Sequence, residues 1–295
     1  GKALNRIHRV GNGPGEYKDI GSMDVNPANG ELYLKEMNRQ QIHVYSLDGK
    51  FKHSFTFPEG KRMSRMCLFS PDYLIAEQES KVPDDQDANF YPYLLVSTRD
   101  GHLDSLDYVQ KRNILVKLIV NAENHSYAYL LEPSLIRNGS RFYIGNPDSD
   151  TLFAMNPDRT LEPLLVRTPS HSEEGNKYGL FLRGAAGAYF FLTKQPMEVP
   201  MNSIESLDLK SEEWLYDCRT QEVCRYLLKN KDDASKRVEG IMFFCYPEDC
   251  GLAVLKSEDL MDAYEAGQLS GELKEIAAGL KADDNPVLML IHFKK

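Results

Sequence analysis

This chain is poor in the features that usually give a function away. Its 295 residues include one tryptophan and five cysteines, and no apolar run approaches the length of a membrane helix. Such a helix needs roughly 18 apolar residues. The nearest run, Ile114 to Val120, is interrupted by Lys117 and suits a buried strand. No basic-then-apolar export pattern opens the chain. Gly1 stands where an initiator methionine would, which leaves room for a removed export or lipid-anchor segment.

A basic stripe is also lacking. The formal net charge is −9, and the most basic stretch, Lys229 to Arg237, is diluted by Asp232 and Asp233. Nucleic-acid binding requires clustered Lys and Arg to displace counterions, so nucleic acid and anionic membrane surfaces are set aside as partners. Catalytic signatures are missing as well. There is no G-x-S-x-G and no H-E-x-x-H. The seven histidines (His8, His43, His53, His102, His125, His171 and His292) occur singly, mostly at strand positions that point away from apolar neighbours. They are expected on exposed or half-buried surface. No catalytic residue, metal ligand or cofactor is assigned.

None of the cysteines forms a C-x-x-C motif. "DCRTQEVC" and "CYPEDC" place Cys218 and Cys224, and Cys245 and Cys250, on either side of a turn. Facing residues of a hairpin have the separation a disulfide can use. Both pairs are candidate disulfides, with buried free thiols as the alternative; a bridge would agree with an oxidising compartment.

What the chain does have is a repeated module. In "GELYLKEMNRQQIHVYSLDGKFKHSFTF" a strand at Leu32–Leu34, a turn at Met37–Arg39, a strand at Ile42–Tyr45, the corner Asp48-Gly49 and an alternating strand at Phe51–Phe57 follow in order. With "SMDV" in front this is a four-stranded meander. "SRFYIGNPDSDTLFAMNPDRTLEPLLV" repeats it, and weaker copies are "DYLIAEQES…YPYLLVSTRDGHLDSLDYV" and "GAYFFLTKQP…SIESLDLKSEEWLY". The second middle strands are placed near 42, 94, 152 and 204, a period of 52 to 58 residues. Four strands per repeat is the signature of a propeller blade, whose apolar faces only neighbouring blades can cover. A β-sandwich, the rival, would not normally repeat one such module. The expected fold is an all-β propeller of four-stranded antiparallel blades in a single domain over 1–295, with five blade-like units from 17 onward. Near the end, Leu260, Met261 and Tyr264, then Leu273, Ile276, Ala277 and Leu280, have helical spacing. Ser257 starts this helical insertion, placed at about 257–281 and read as a cap on the propeller surface, with an amphipathic partner-binding helix as the alternative, before "NPVLMLIHF" returns to strand.

"LYLKEMNRQQIHVYSLDGKF" is similar to an NHL repeat, V-x-V-A-D-x-x-N-x-R-I-x-V-F-D-x-x-G-x-F. "GNGPGEY" before a blade, the ending "LKADDNPVLMLIHFKK" and the intermediate "YPYLLVSTRDGHLDSL" resemble the bacterial six-bladed β-propeller family of exported, often lipid-anchored proteins of unknown function. The resemblance implies six blades and an extracytoplasmic location, in the periplasm or anchored at the outer membrane. Two departures stand out. Glu36 and Asn38 replace the usual NHL Asp and Gly, and only Leu4 to Val10 precede "GNGPGEY" where relatives carry a whole blade. That segment is expected to be the last strand of such a blade.

"GNGPGEY" itself is not a dinucleotide loop. Its third glycine comes early, Pro14 removes a donor, and a meander follows instead of a helix. It reads as a rigid crossover, with Glu16 and Tyr17 docking it on the next blade. Asp85, Asp87 and Asn89 have calcium-loop spacing, but Phe90 and Val96 stand where the loop needs Gly and Glu. Asp148 and Asp150 read as a turn. Phe90, Tyr91 and Tyr93 lie on a long loop, where aromatics either stack on a sugar or clamp a peptide, or else pack over a neighbouring blade. A second loop is expected over 193–203. Arg65 in "MSRMCLF" and Arg183 in "YGLFLRG" fall on candidate inner strands lining the channel, either suited to an anionic or carboxylate ligand or paired with the abundant acids. The resulting expectation is a non-enzymatic exported propeller that binds a small molecule, glycan, peptide or partner protein. The alternative is a propeller hydrolase, lactonase or lyase with a metal ion in its channel.

Overall fold

A computed structural model describes residues 6–58, 61–79, 91–106, 115–121, 126–131, 135–147, 149–175, 177–200, 211–233, 238, 240–243 and 248–294. The fold is an all-β propeller of antiparallel blades, with two short helices among the described residues. It divides into two compact units, Gly1–Leu115 and Val116–Lys295.

The first unit holds two blades, each with its strands hydrogen-bonded in sequence order. Blade 1 is β1 (Ile20–Asn26), β2 (Glu31–Glu36), β3 (Gln41–Ser46) and β4 (Phe51–Thr56). Blade 2 is β5 (Arg62–Ser70), β6 (Tyr73–Glu79), β7 (Tyr93–Ser97) and β8 (Leu103–Ser105). The expected corner at Asp48-Gly49 is present, with Gly49 at φ 87°, a backbone shape that favours glycine. Tyr33, Ile42 and Val44 of blade 1 share one buried cluster with Met63, Leu68, Leu74 and Val96 of blade 2. Each such side chain contributes about 1.5–3 kcal/mol by leaving water, so neither sheet would hold alone.

β9 (Leu115–Asn121) starts at the last residue of the first unit and continues in the second, where β10 (Ser126–Leu131) follows. Blade 3 follows as β11 (Leu135–Asn138), β12 (Arg141–Ile144), β13 (Thr151–Met155) and β14 (Leu161–Val166). Blade 4 is β15 (Tyr178–Ala186), β16 (Tyr189–Pro196), β18 (Glu212–Asp217) and β19 (Glu222–Arg225). The short β17 (Glu198–Pro200) leaves that blade and pairs parallel with β9. Blade 5 has three described strands, β20 (Met242–Phe243), β21 (Cys250–Leu255) and β22 (Val287–His292).

Blade 4 is covered on both faces. Phe190 and Leu192 pack with Tyr143 and Leu152 of blade 3, the Tyr143 and Phe190 rings meeting edge-on at 4.8 Å. On the opposite face Phe191 meets Phe243 at 4.5 Å and Phe293 at 5.0 Å, both on blade 5 or its edge. Gly184 permits this approach, because a Cβ there would lie 1.9 Å from the Phe243 ring.

Among the described residues five blades are seen where the resemblance implies six, so the count of six is not borne out. Several other expectations are corrected. Residues 6–9 are not strand, and Val10 makes only an isolated bridge to Tyr17, so no last strand of an earlier blade is seen among the described residues. Residues 193–203 are not a loop in their described part: β16 runs through Pro196, and β17 occupies 198–200. The fourth middle strand begins at Glu212 rather than near 204. The helical insertion splits into α1 (Ser257–Glu265) and α2 (Gly271–Ala277). Leu260, Ala263, Leu273 and Ala277 face their core, while Tyr264 and Ile276 are among the exposed hydrophobics. Ser257 does begin α1, but its hydroxyl donates to the carbonyls of Asp284 and Asn285 (3.1 and 2.9 Å) instead of capping the helix.

Candidate functional site

The ladder of blade 4 lines up a row of polar side chains. Phe181 pairs with Thr193, and a register shift between Leu182 and Gly184 leaves Arg183 at a bulge. Thr193 pairs with Glu213, and because Trp214 pairs with Arg225, Tyr226 comes next beside Glu213. Side chains alternate along a strand, so Thr193 shares the face of Phe191, which looks toward blade 5. Arg183, Thr193, Glu213 and Tyr226 thus form one side of a cleft of about 360 Å³, faced by the apolar Leu228, Ile241 and Phe243. That size is within the usual range for small-molecule sites.

The row is internally ordered. The Thr193 hydroxyl donates to Glu213 Oε2 at 3.0 Å, and Tyr226 O–H points to the same oxygen at 3.5 Å. Burial, with the Glu213 charge behind it, pushes the Tyr226 phenol from its ordinary 10 up to about 12, so it remains a donor at neutral pH. Arg183 Nη2 donates to Gln195 Oε1 at 3.0 Å, and the guanidinium lies 4.8 Å from the Phe181 ring centre. A neutral amide and an aromatic face position this cation. On the opposite face of the blade a second cleft of about 360 Å³ contains Arg167, Lys194 and Glu174, where both cations bond to Glu174. Lys194 first, then Arg167, holds that carboxyl below its ordinary range.

The remaining sequence candidates disperse. Arg65 is exposed on β5, at an irregularity between Met63 and Met66 that resembles the bulge at Arg183. Tyr93 is buried, and Tyr91 packs against the core shared by blades 1 and 2; neither stands out as a stacking platform. Phe90, with Asp85, Asp87 and Asn89, lies outside the described residues. Cys218 and Cys224 are exposed free thiols. Cys224 pairs with Leu215 while Cys218 sits in the turn beyond Asp217, so they do not face each other. Cys250 is buried and free, with Sγ 3.1 Å from His292 Nδ1; Cys245 lies outside the described residues. Burial first, then the neighbouring Asp249 charge, pushes the Cys250 thiol up.

"GNGPGEY" is closed by its own side chains. Glu16 Oε2 accepts from the Gly13 N–H at 2.7 Å, filling the place an anion would take. Tyr45 O–H donates to Gly15 O at 2.7 Å, and Tyr17 is buried beside Leu34 and Tyr45. Tyr17 therefore docks the crossover on blade 1 as expected, while Glu16 turns inward instead. One histidine departs from expectation: His43 is buried, with Nε2 3.2 Å from the buried Glu36 carboxylate. His43 shares the Tyr45 face of β3, where the rings of Tyr45 and Phe51 lie within 6.4 Å of it and Tyr17 packs, so a polar position in the alternation need not reach water. The Thr193–Glu213–Tyr226 row escaped sequence reading, since only the cross-strand register brings it together.

Among known structures, a protein of Bacteroides fragilis NCTC 9343 assigned to export superposes with a TM-score of 0.65, covering 99% of this chain and 82% of its own at 14% identity. Such low identity shows the fold alone. A member of the DUF4221 family from Bacteroides vulgatus ATCC 8482 gives a TM-score of 0.49 at 9% identity, over 98% of this chain and 83% of its own. An oligogalacturonate lyase in complex with manganese gives 0.43 at 11%, over 96% and 63%; these two likenesses are too loose to bear on function. No curated protein matches. No helix among the described residues is long and apolar enough to cross a membrane. The profile of one family covers residues 1–292, and the chain belongs to that family, the domain of unknown function DUF4934.

Proposed function

We propose that this protein is a non-enzymatic, extracytoplasmic binding propeller whose ligand enters the blade 4 cleft. The carrying observation is the convergence of Arg183, Thr193, Glu213 and Tyr226 on a cleft with an apolar far wall. Arg183 suits a carboxylate or similar oxyanion. Glu213 repels a bare anion but accepts from hydroxyl or ammonium groups, so the favoured ligand is a small acid carrying such donors, such as an acidic sugar or the end of a peptide. Arg65, exposed on blade 2, is a separate candidate contact for an acidic ligand. Export draws support from the resemblance carried by "GNGPGEY" and the chain ending, and from the likeness to an exported protein's fold. The six-bladed, NHL-like and lipid-anchored character of that resemblance belongs to the same reading.

Thermal melting against a panel of hydroxy acids, amino acids and uronates tests this proposal. A member that raises Tm for the native protein and not for Arg183→Ala supports it; no response across the panel counts against a small-acid ligand. The alternative, a hydrolase, lactonase or lyase with a channel metal, calls for ligands from several blades. Among the described residues, the donor group able to hold a metal is Asp249, Cys250 and His292, all on or beside strands of one blade. A metal that persists when that group is removed would favour the alternative.

A further inference from the structure

The first residue of β21 and the last of β22 face each other as a ladder pair, Cys250 and His292. This pairing is fixed by the antiparallel register, and the residue before Cys250 is Asp249. Cys250 Sγ lies 3.1 Å from His292 Nδ1 and 3.6 Å from Asp249 Oδ1, and one donor atom from each residue falls within 4.8 Å of the others. The thiol is fully buried, the carboxylate half-buried and the imidazole exposed. A thiol, an imidazole and a carboxylate therefore converge at one edge of blade 5, open to solvent on the histidine side.

We propose that Asp249, Cys250 and His292 form a zinc-binding site with three protein ligands and a fourth position left to solvent or an external ligand. Sulfur and nitrogen donors together select a borderline-soft ion, and the thiolate disfavours calcium and magnesium. Zinc–sulfur and zinc–nitrogen distances of about 2.3 and 2.0 Å in a tetrahedron separate the two donors by about 3.6 Å. The existing pair opens by about half an ångström to reach that, a movement available to the exposed His292 side chain. As the Zn–S bond forms, Cys250 releases its proton to solvent, so binding strengthens as pH rises. The site differs from the blade 4 cleft in every residue and does not depend on the function proposed for it.

The test is a calorimetric titration of the metal-stripped full chain with Zn²⁺ against a competing chelator, in a Cys218→Ser/Cys224→Ser background that removes the two exposed thiols. One equivalent is expected, weakened at least about 10-fold by Cys250→Ser and again by His292→Ala. Cobalt substitution gives a second readout: a thiolate-to-cobalt charge-transfer band, lost in Cys250→Ser and kept in Cys67→Ser. Melting curves in chelator establish that each variant is folded; should Cys250→Ser not fold, His292→Ala and the cobalt band decide. Absence of a stoichiometric zinc, or zinc affinity unchanged in both ligand variants, overturns the proposal and leaves a thiol–imidazole hydrogen bond.

Discussion

At the residue scale, the blade 4 cleft rests on how each polar group is held. Tyr226 shows this best, because its ring lies 5.3 Å from Phe191 while its hydroxyl reaches toward Glu213. Its folded pKa of about 12 exceeds the ordinary 10, so the folded protein keeps this proton more tightly than the unfolded chain. That contribution is fully present below pH 10 and is lost as pH rises toward about 12. Tyr33 shares this window, pushed up to about 12 by burial and then by Glu31. Tyr226→Phe keeps the ring and removes the titration, so its alkaline loss of stability, followed by urea unfolding at stepped pH, is expected to be shallower than that of the native protein. Arg183 was legible in the sequence because it sits on a strand recognisable by its apolar neighbours. Glu213 and Tyr226 were not, since nothing local reveals which residues a strand will face.

At the scale of elements, the middle strands were legible wherever their turns carry strong chemistry. The strands beginning at Gln41, Tyr93 and Thr151 fell within a residue of their expected starts. The fourth did not: "SIESLDL" alternates as well as "EEWLYD" does, and alternation alone cannot choose between adjacent candidates. Nor does sequence spacing show β17 crossing to pair with β9, a contact between residues far apart in the chain. The split of the helical insertion turns on Gly267, at φ 69°, just beyond α1. Close packing of blades 4 and 5 gives a sharper test. Gly184→Ala forces a methyl into the Phe243 ring and is expected to cost about 1–3 kcal/mol, measured by denaturant unfolding. Because the clash is between two named groups, Gly184→Ala with Phe243→Ala should cost less than the sum of the two single changes.

At the scale of the whole molecule, the repeat of a four-stranded module led correctly to propeller blades, because a sheet with two apolar faces needs a neighbour on each. Blade 4 meets that need with Tyr143 and Leu152 on one side and Phe243 and Phe293 on the other. The number of blades was not legible, since a repeat reports the unit and not how many complete the assembly. Function was least legible of all: propellers host unrelated activities, and the site arises from register. The decisive measurement is a calorimetric isotherm for the strongest small-acid hit on the native protein and on Arg183→Ala. The charge-assisted contact predicts an affinity loss of roughly 10- to 100-fold with the fold intact; equal affinity for the two proteins would contradict a ligand site in the blade 4 cleft.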